Sequence, residues 1–308
     1  MTETTVVPHA FSNQSQEFER QYRGGIVAGV DGSKESIAAL ETAAAIARVR
    51  SCPLHVVMVL PPFPSYQVNP GVDRRAEDTE QLRLSMKDSE LREILGSVEP
   101  GEIWTHEVVV GHPAHELTSV AEGRGAGLLV IGRRRHGAID RMLGGETTVQ
   151  VMRMSAVPVL AVGVALDPAR TAVVAIDFLP LSIRATRVAL DLLGTSGTLY
   201  LVNVAPPQDL LPKGFSIPGE KPIAGDVEVR IRSIIDALVA HAGVIVEPVA
   251  LHGMAVNAIV DFAERVGADL IAAGSHGHSR MERFLLGSVS TGLVREAQCA
   301  VLVVPPCD

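Results

Sequence analysis

The chain has 308 residues, of which 47% are hydrophobic, and its formal net charge is −8. A chain of this length and apolar content can bury two sizeable cores, so we expect two domains. The negative charge argues against a broad cationic face, which excludes nucleic acid and anionic membranes as the expected partners. Three cysteines, at 52, 299 and 307, have neither metal-ligand nor redox-pair spacing, which fits structural roles in a reducing cytosol.

The N-terminal segment does not resemble an export signal. Residues 1–23 are polar and of mixed charge, without the basic-then-apolar order of a signal peptide. Nowhere in the chain does an apolar run approach the roughly 20 residues that a membrane helix needs. We therefore expect a flexible tail over residues 1–23 and a soluble, cytoplasmic protein.

From residue 24 onward, short apolar runs alternate with segments of helical period. Runs of four to seven residues rich in Val, Ile and Leu are typical of parallel strands buried on both faces and connected by right-handed helical crossovers. In the first half, the strands are predicted near 26–30, 54–60, 103–110, 128–131 and 157–162. The helices between them are predicted at about 34–49, 76–95, 114–123 and 147–154.

The second half repeats the first. A shift of 142 positions pairs Gly111 with Gly253 and carries "VPVLAV" onto "CAVLVV" without a gap. A match this long indicates a duplication. Its strands are predicted near 172–176, 199–204, 244–251, 270–273 and 300–304. We predict an α/β fold of two tandem five-stranded, doubly wound parallel-sheet domains, 24–163 and 170–308.

Each half carries candidate ligand-binding residues where its strands end. Open parallel sheets bind ligands at the carboxyl ends of their strands, here between the first and fourth strands. Asp31 and Asp177 end the first strands, and Gly132 and Gly274 begin the segments after the fourth. We expect one bound molecule to contact both sides of this crevice.

The segment "GSHGHSRMERFLLGS", residues 274–288, has the features of a phosphate-binding loop. Glycine at 274 and 277 lets the backbone approach a ligand closely. We predict Ser288 as the N-cap of the next helix, where its hydroxyl and the first-turn N–H groups favour an anion. The alternative is that the glycines only form turns and Ser288 only caps the helix.

The first half departs from this pattern in "GRRRHGAIDRMLGGE", residues 132–146. Arg135 stands at the position of Gly277, Gly144 at that of Leu286, and Glu146 at that of Ser288. A carboxylate at a helix N-terminus is stabilised by the helix dipole and repels a phosphate, so we expect a closed phosphate half-site. The alternative is that the guanidinium groups of residues 133–135 bind phosphate directly.

The spacing of Gly274, Gly277, Gly287 and Ser288, with Asp177 closing the first strand, resembles the ATP-binding motif of the universal stress protein family in its tandem form. The resemblance covers nearly the whole chain from about residue 25. It implies a Rossmann-like, adenine nucleotide alpha hydrolase-like fold. It also implies that the fifth strands pair across a pseudo-two-fold axis. Because closed symmetric dimers are common, we further expect two chains to associate as a dimer.

The resemblance also implies a site for ATP, with or without Mg²⁺, chiefly in the second half. Asp177 would reach toward the adenosine, whose side is lined by residues Leu251, His252 and Gly253. The ribose and phosphates would be surrounded by Gly274, His276, Gly277, Gly287, Ser288, Val289 and Ser290. A weaker site in the first half would use Asp31, Gly32, Ser33, Gly111, Gly132 and Gly145. Leu179 departs from the family pattern, which has a serine at this position.

The leading functional hypothesis is therefore a nucleotide-responsive stress or regulatory protein without a catalytic set. No serine, cysteine or carboxylate neighbour in sequence forms a nucleophile-base pair with His276 or His278, and His112-x-x-His115 is a weak metal signal, so we predict neither catalytic residues nor a metal site. A second hypothesis is a nucleotidyl-transferase or hydrolase, for which the segment after Asp177 offers only Arg184. A third is a protein-binding scaffold in which both sites are silent.

Overall fold

A computed structural model describes residues 24–62, 73–98, 104–133, 145–166, 169–207, 229, 243–275 and 286–306. The tail predicted for residues 1–23 lies outside them. Within this part of the chain, no helix is long and apolar enough to cross a membrane.

All ten predicted strands are present. Those of the first half are β1 (Ile26–Val30), β2 (Leu54–Leu60), β3 (Trp104–Val110), β4 (Leu128–Gly132) and β5 (Val159–Val162). Those of the second are β6 (Thr171–Ala175), β7 (Gly197–Ala205), β8 (Val244–His252), β9 (Leu270–Gly274) and β10 (Ala300–Val304). The α/β fold class is confirmed.

Seven helices connect the strands in the described ranges. They are α1 (Lys34–Arg50), α2 (Asp73–Gly96), α3 (Pro113–Gly123), α4 (Gly145–Met154), α5 (Pro180–Leu193), α6 (Ala255–Val266) and α7 (Ser288–Glu296). Helices α1 and α4 begin within two residues of the predicted positions, because polar residues form the first turn of each.

The ten strands form one sheet in the order β3-β2-β1-β4-β5-β10-β9-β6-β7-β8. Neighbours within each half are parallel, as the buried apolar runs predict. The junction is antiparallel: Leu302 lies opposite Leu160, and Val301 opposite Ala161. The predicted pairing of the fifth strands across a pseudo-two-fold axis is confirmed, and each strand removes the other's exposed edge.

The core has two layers, one on each face of the sheet, and each layer runs through both halves. Alternate residues of a strand point to opposite faces, so Leu302 joins the layer beneath α1 and α5, while Val301 joins the layer beneath α3, α4, α6 and α7. Both side chains are fully buried. The halves therefore share their packing across the β5–β10 junction.

One polar cluster interrupts the apolar layers of the first half. His55 on β2 is 5% exposed. Its Nδ1 lies 2.7 Å from Thr105 Oγ1, and its Nε2 lies 2.7 Å from Glu107 Oε1 on the neighbouring strand β3. Arg124 Nη2 donates to the same carboxylate oxygen at 3.3 Å. The cluster satisfies the buried imidazole on both nitrogens.

This cluster predicts a stability that falls in mild acid. Burial lowers the pKa of His55, although the hydrogen bond with Glu107 opposes the shift. Because the folded pKa lies below the unfolded one, the stabilising neutral form is lost as the pH falls from about 6.5. We expect the melting temperature of His55→Gln to fall less than that of the unchanged protein between pH 7 and pH 5. A His115→Gln variant, altered at an exposed histidine, is the control, and parallel pH profiles for His55→Gln and the unchanged protein would contradict the role of His55.

Candidate functional site

The carboxyl ends of the strands form a crevice in the first half. Strand β1 pairs with both β2 and β4, so the chain crosses to opposite sides of the sheet beside β1. A cavity of about 230 Å³ opens there. Its lining includes Gly29, Asp31, Ser33, Ser36, Gly132, Thr147 and Thr148. The sequence-predicted residues Asp31, Ser33 and Gly132 are thus brought together.

The turn after β1 fixes the carboxylate of Asp31. Its Oδ1 accepts hydrogen bonds from Ser33 N at 2.9 Å and from Ser33 Oγ at 2.5 Å. Ser33 is also the N-cap of α1, where its Oγ accepts from Ser36 N at 3.2 Å. Gly32 between them has a φ of +82°, which glycine adopts without steric strain. The sequence Asp-Gly-Ser therefore builds a rigid carboxylate beside the cavity.

The second half keeps this turn with different side chains. Asp177 Oδ1 accepts from Leu179 N at 3.0 Å, but leucine has no hydroxyl to repeat the second bond. Phe178 stands in the place of Gly32 and has a φ of +66°. A left-handed conformation costs a non-glycine residue about 1–2 kcal/mol. The turn thus holds Asp177 in the second half as the first-half turn holds Asp31. The positive φ of Phe178 makes the second-half turn the more strained of the two.

The glycines after the fourth strands are required by packing. A Cβ on Gly132 would lie 2.7 Å from Ser36 N, and a Cβ on Gly274 would lie 2.7 Å from Leu181 Cβ. The first turns of α1 and α5 therefore press directly against the ends of β4 and β9. This geometry supports a role for both glycines in the fold, whatever their contribution to a ligand site.

Helix α7 corrects one prediction about the phosphate loop. The N-cap is Gly287 rather than Ser288, and no side chain caps the helix. Gly287 N donates to Ser275 O at 2.7 Å, while Gly287 O accepts the first helical bond, from Thr291 N at 2.9 Å. Ser288 is consequently the first helical residue. The backbone N–H groups that open the first turn remain the feature that favours an anion.

The other candidates of the second half lie at the same edge of the sheet. Strands β6 and β9 are neighbours, so Asp177, two residues after β6, and Gly274, the last residue of β9, lie at adjacent strand ends. Ser290 is buried and its Oγ donates to Gly274 O at 2.6 Å, which ties α7 to β9. Val289 is partly buried against the core layer on the α7 face. His276 and Gly277 lie outside the described residues.

The remaining candidates lie at the far side of this edge and are Leu251, His252 and Gly253. They form the end of β8 and the turn after it, two strands away from β6. His252 is exposed, while Leu251 and Gly253 are half-buried. Gly253 N donates to Ala205 O at 3.0 Å, and its φ of +131° is one that glycine favours.

In the first half, Gly111 lies beside the Glu116 side chain and Gly145 begins α4. Glu146 is in the first turn of that helix.

Comparison with known proteins decides the family. The model of the universal stress protein family matches residues 24–163 and again residues 168–305. The chain belongs to the universal stress protein family. A universal stress protein from Mycobacterium tuberculosis is 29% identical over 295 residues, which cover 91% of this chain and 96% of that relative. Another from Mycolicibacterium smegmatis is 26% identical over 293 residues, covering 92% of this chain and 97% of the relative.

A solved structure has the same tandem arrangement. The crystal structure of a universal stress protein from Archaeoglobus fulgidus superimposes with a TM-score of 0.68, covering 93% of this chain and 97% of the other. Its sequence identity is 19%, so the likeness establishes the fold alone. The resemblance drawn from the glycine motif is confirmed at the level of family and fold.

Arg133 of this universal stress protein is buried against the second half, a position that the sequence does not predict. The residue is 4% exposed, whereas a run of three arginines is normally solvated. Its Nη1 donates to Val294 O and Ala297 O, both at 3.0 Å, and its Nη2 donates to Cys299 O at 2.5 Å. The alternative that Arg133 binds phosphate directly is not supported, because these bonds direct the guanidinium into the second half. Residues 134 and 135 lie outside the described part of the chain.

The two histidines of the weak metal signal lie at the start of α3. His112 is the N-cap residue of α3, and His115 Nδ1 lies 3.0 Å from Glu116 Oε1. Among the residues that the structure describes, no three His, Cys, Asp or Glu side chains are grouped to hold a metal ion.

Proposed function

We propose that this universal stress protein is a cytosolic, nucleotide-responsive regulatory protein that holds ATP chiefly in its second half. The observation that carries the proposal is the convergence of Asp177, Gly274 and the start of α7 at one sheet edge. The motif Gly-x-x-Gly, nine residues, then Gly-Ser begins at Gly274 and ends at Gly287 and Ser288, and both of its ends lie at this edge.

Each part of an adenine nucleotide has a matching group in this arrangement. The first-turn N–H groups of α7 provide partial positive charge for phosphates, with Mg²⁺ where the bound nucleotide carries it. Asp177, held by Leu179 N, accepts hydrogen bonds from hydroxyl or amino groups of the adenosine. Residues 251–253 flank the base at the far side of the edge. The ligand therefore spans the crevice from β8 to α7.

The first half is suited to a different occupant. Among the described residues that line its cavity, Asp31 is the one charged residue, so these residues supply no cation for a phosphate. Glu146, in the first turn of α4, adds a second acidic residue close to that helix N-terminus. We infer that the first half does not hold a triphosphate and accepts at most the uncharged nucleoside part of a ligand.

Occupancy would be reported through conformation or protein binding rather than through turnover. The candidate site contains no paired nucleophile and base among its described residues, so ATP hydrolysis is expected to be slow at most. Association of two tandem chains into a symmetric dimer is the expected assembly. AMP and cyclic AMP remain alternative ligands, since they share the adenosine contacts.

A silent scaffold is the second candidate function. It is favoured by Leu179, which removes a hydroxyl from the site, and by Glu146 in the first half. Nucleotide extracted from the purified protein and equilibrium titration with ATP separate the two functions. Adenine nucleotide in the extract and one ATP bound per chain support the proposal. The absence of both would contradict the proposal and favour the scaffold.

Replacing Glu146 by serine tests why the first half is closed. If the carboxylate repels phosphate, we expect Glu146→Ser to raise ATP stoichiometry from one to two per chain, with the new site weaker than the first. The charge-preserving Glu146→Asp variant is the matched control and should stay at one. Isothermal titration calorimetry measures both, and an unchanged stoichiometry in Glu146→Ser would assign the closure to other residues of the loop.

A further inference from the structure

Arg133 extends from the first half to the last helix of the second. It directly follows Gly132, whose backbone lines the first-half cavity, and its own N–H donates to Val162 O at 2.7 Å. The side chain then crosses the β5–β10 junction and reaches the C-terminal end of α7. A buried guanidinium at a helix C-terminus satisfies carbonyls that have no partner within the helix and interacts favourably with the helix dipole.

Helix α7 is held at both ends. At its N-terminus, Gly287 N donates to Ser275 O and Ser290 Oγ donates to Gly274 O. At its C-terminus, the carbonyls of Val294 and Ala297 accept from Arg133. The helix has nine residues and is about 13 Å long. A displacement at one end of so short a helix is carried to the other.

The contact is asymmetric between the two halves. Under the shift of 142 positions, the second-half residue equivalent to Arg133 is Ser275. Its side chain is too short to make the reciprocal contact with the end of α4. Ser275 instead uses its backbone, with N donating to Val304 O and O accepting from Gly287 N. The Arg133 side chain of the first half therefore supports α7 of the second half, and the second half has no equivalent side chain that supports α4.

We propose that Arg133 is a positioning residue for the phosphate end of the second-half nucleotide site, so that phosphate affinity there depends on the first half. The inference rests on the proposed function. Arg133 does not contact the ligand; it fixes α7, whose first turn faces the phosphates. Adenosine contacts, made by Asp177 and by residues 251–253, do not involve this helix.

The proposal predicts a selective loss in Arg133→Met. We expect ATP affinity to fall about tenfold while adenosine affinity changes less than about twofold, a difference that titration calorimetry resolves. In Arg133→Lys the ammonium keeps the charge but cannot reach three carbonyls with guanidinium geometry, so an ATP loss of about threefold is expected. The lysine variant carries the test if the methionine variant does not fold.

Arg50→Met is the matched control. Arg50 is a partly buried arginine at the end of α1 whose charge interacts with Asp191 on α5 of the other half. Its replacement removes a cation close to Asp191 of the second half without touching the carbonyls of α7, so the ratio of ATP to adenosine affinity should stay constant. Equal losses for ATP and adenosine in Arg133→Met, or no loss for ATP, would overturn the proposal. Absence of ATP and adenosine binding in the unchanged protein would instead overturn the proposed function, and the role of Arg133 with it.

Discussion

Replacing Gly277 by arginine, the residue at the equivalent position of the first half, is expected to weaken ATP binding at least about a hundredfold, or about 2.7 kcal/mol. From the motif we expect this glycine to let the backbone approach the phosphates and adopt positive φ. An arginine in a left-handed conformation is strained, and its side chain occupies volume that the ligand needs. Titration of purified Gly277→Arg with ATP measures the loss.

The control for this substitution tests whether an added arginine weakens ATP binding only at position 277. Ser196→Arg introduces the same side chain in the exposed turn between α5 and β7, at the opposite edge of the second half. We expect that variant to bind ATP like the unchanged protein. Retention of full affinity in Gly277→Arg would remove the second-half loop from the site and would leave the first-half cavity as the place where ATP binds.

Replacing Leu302 by alanine is expected to lower the free energy of unfolding by about 2–5 kcal/mol. Leu302 is fully buried and lies opposite Leu160 where β10 and β5 join the two halves. Its removal leaves a cavity in a core layer that both halves share. Urea unfolding followed by circular dichroism measures the change.

Val49→Ala provides the comparison, since Val49 is 73% exposed on α1 and its truncation should change stability by less than about 0.5 kcal/mol. A loss below about 1 kcal/mol in Leu302→Ala would mean that the junction contributes little to the stability of the chain. The halves would then be stable largely without each other.

The strands and their arrangement follow from local sequence. Runs such as "IVAGV" and "AVLVV" are too short and too continuously apolar for amphipathic helices. Because the halves are repeats, each strand of one half is also supported by the equivalent strand of the other. The crevice between the first and fourth strands follows from the order of crossovers, and the pairing of β1 with β4 and of β6 with β9 confirms it. The pairing of β5 with β10 came only from the resemblance to the family, because no local pattern specifies which edge an apolar strand covers.

The residues that sequence reasoning missed depend on contacts between distant positions. Arg133 finds its acceptors more than 160 residues away, at Val294 and beyond, and a run of three arginines is normally solvated. His55 pairs with Glu107 only because β2 and β3 are neighbours in register.

The cap of α7 was misplaced by one residue for a local reason. Serine is a stronger N-cap former than glycine in general. Here the N–H of Gly287 is already used by Ser275 O, which fixes where the helix starts. The predicted ligand contacts of Gly277 and Ser288 stay predictions.

Photolabelling with 8-azido-ATP tests most directly whether the nucleotide occupies the second half. The azide on the base reacts with the residues next to the adenine, and mass spectrometry of the digested protein identifies them. We expect labelled peptides that contain Asp177 or residues 251–253, with protection by unlabelled ATP. Protected labelling confined to peptides around Gly29 and Asp31 would place the nucleotide in the first-half cavity and contradict the account.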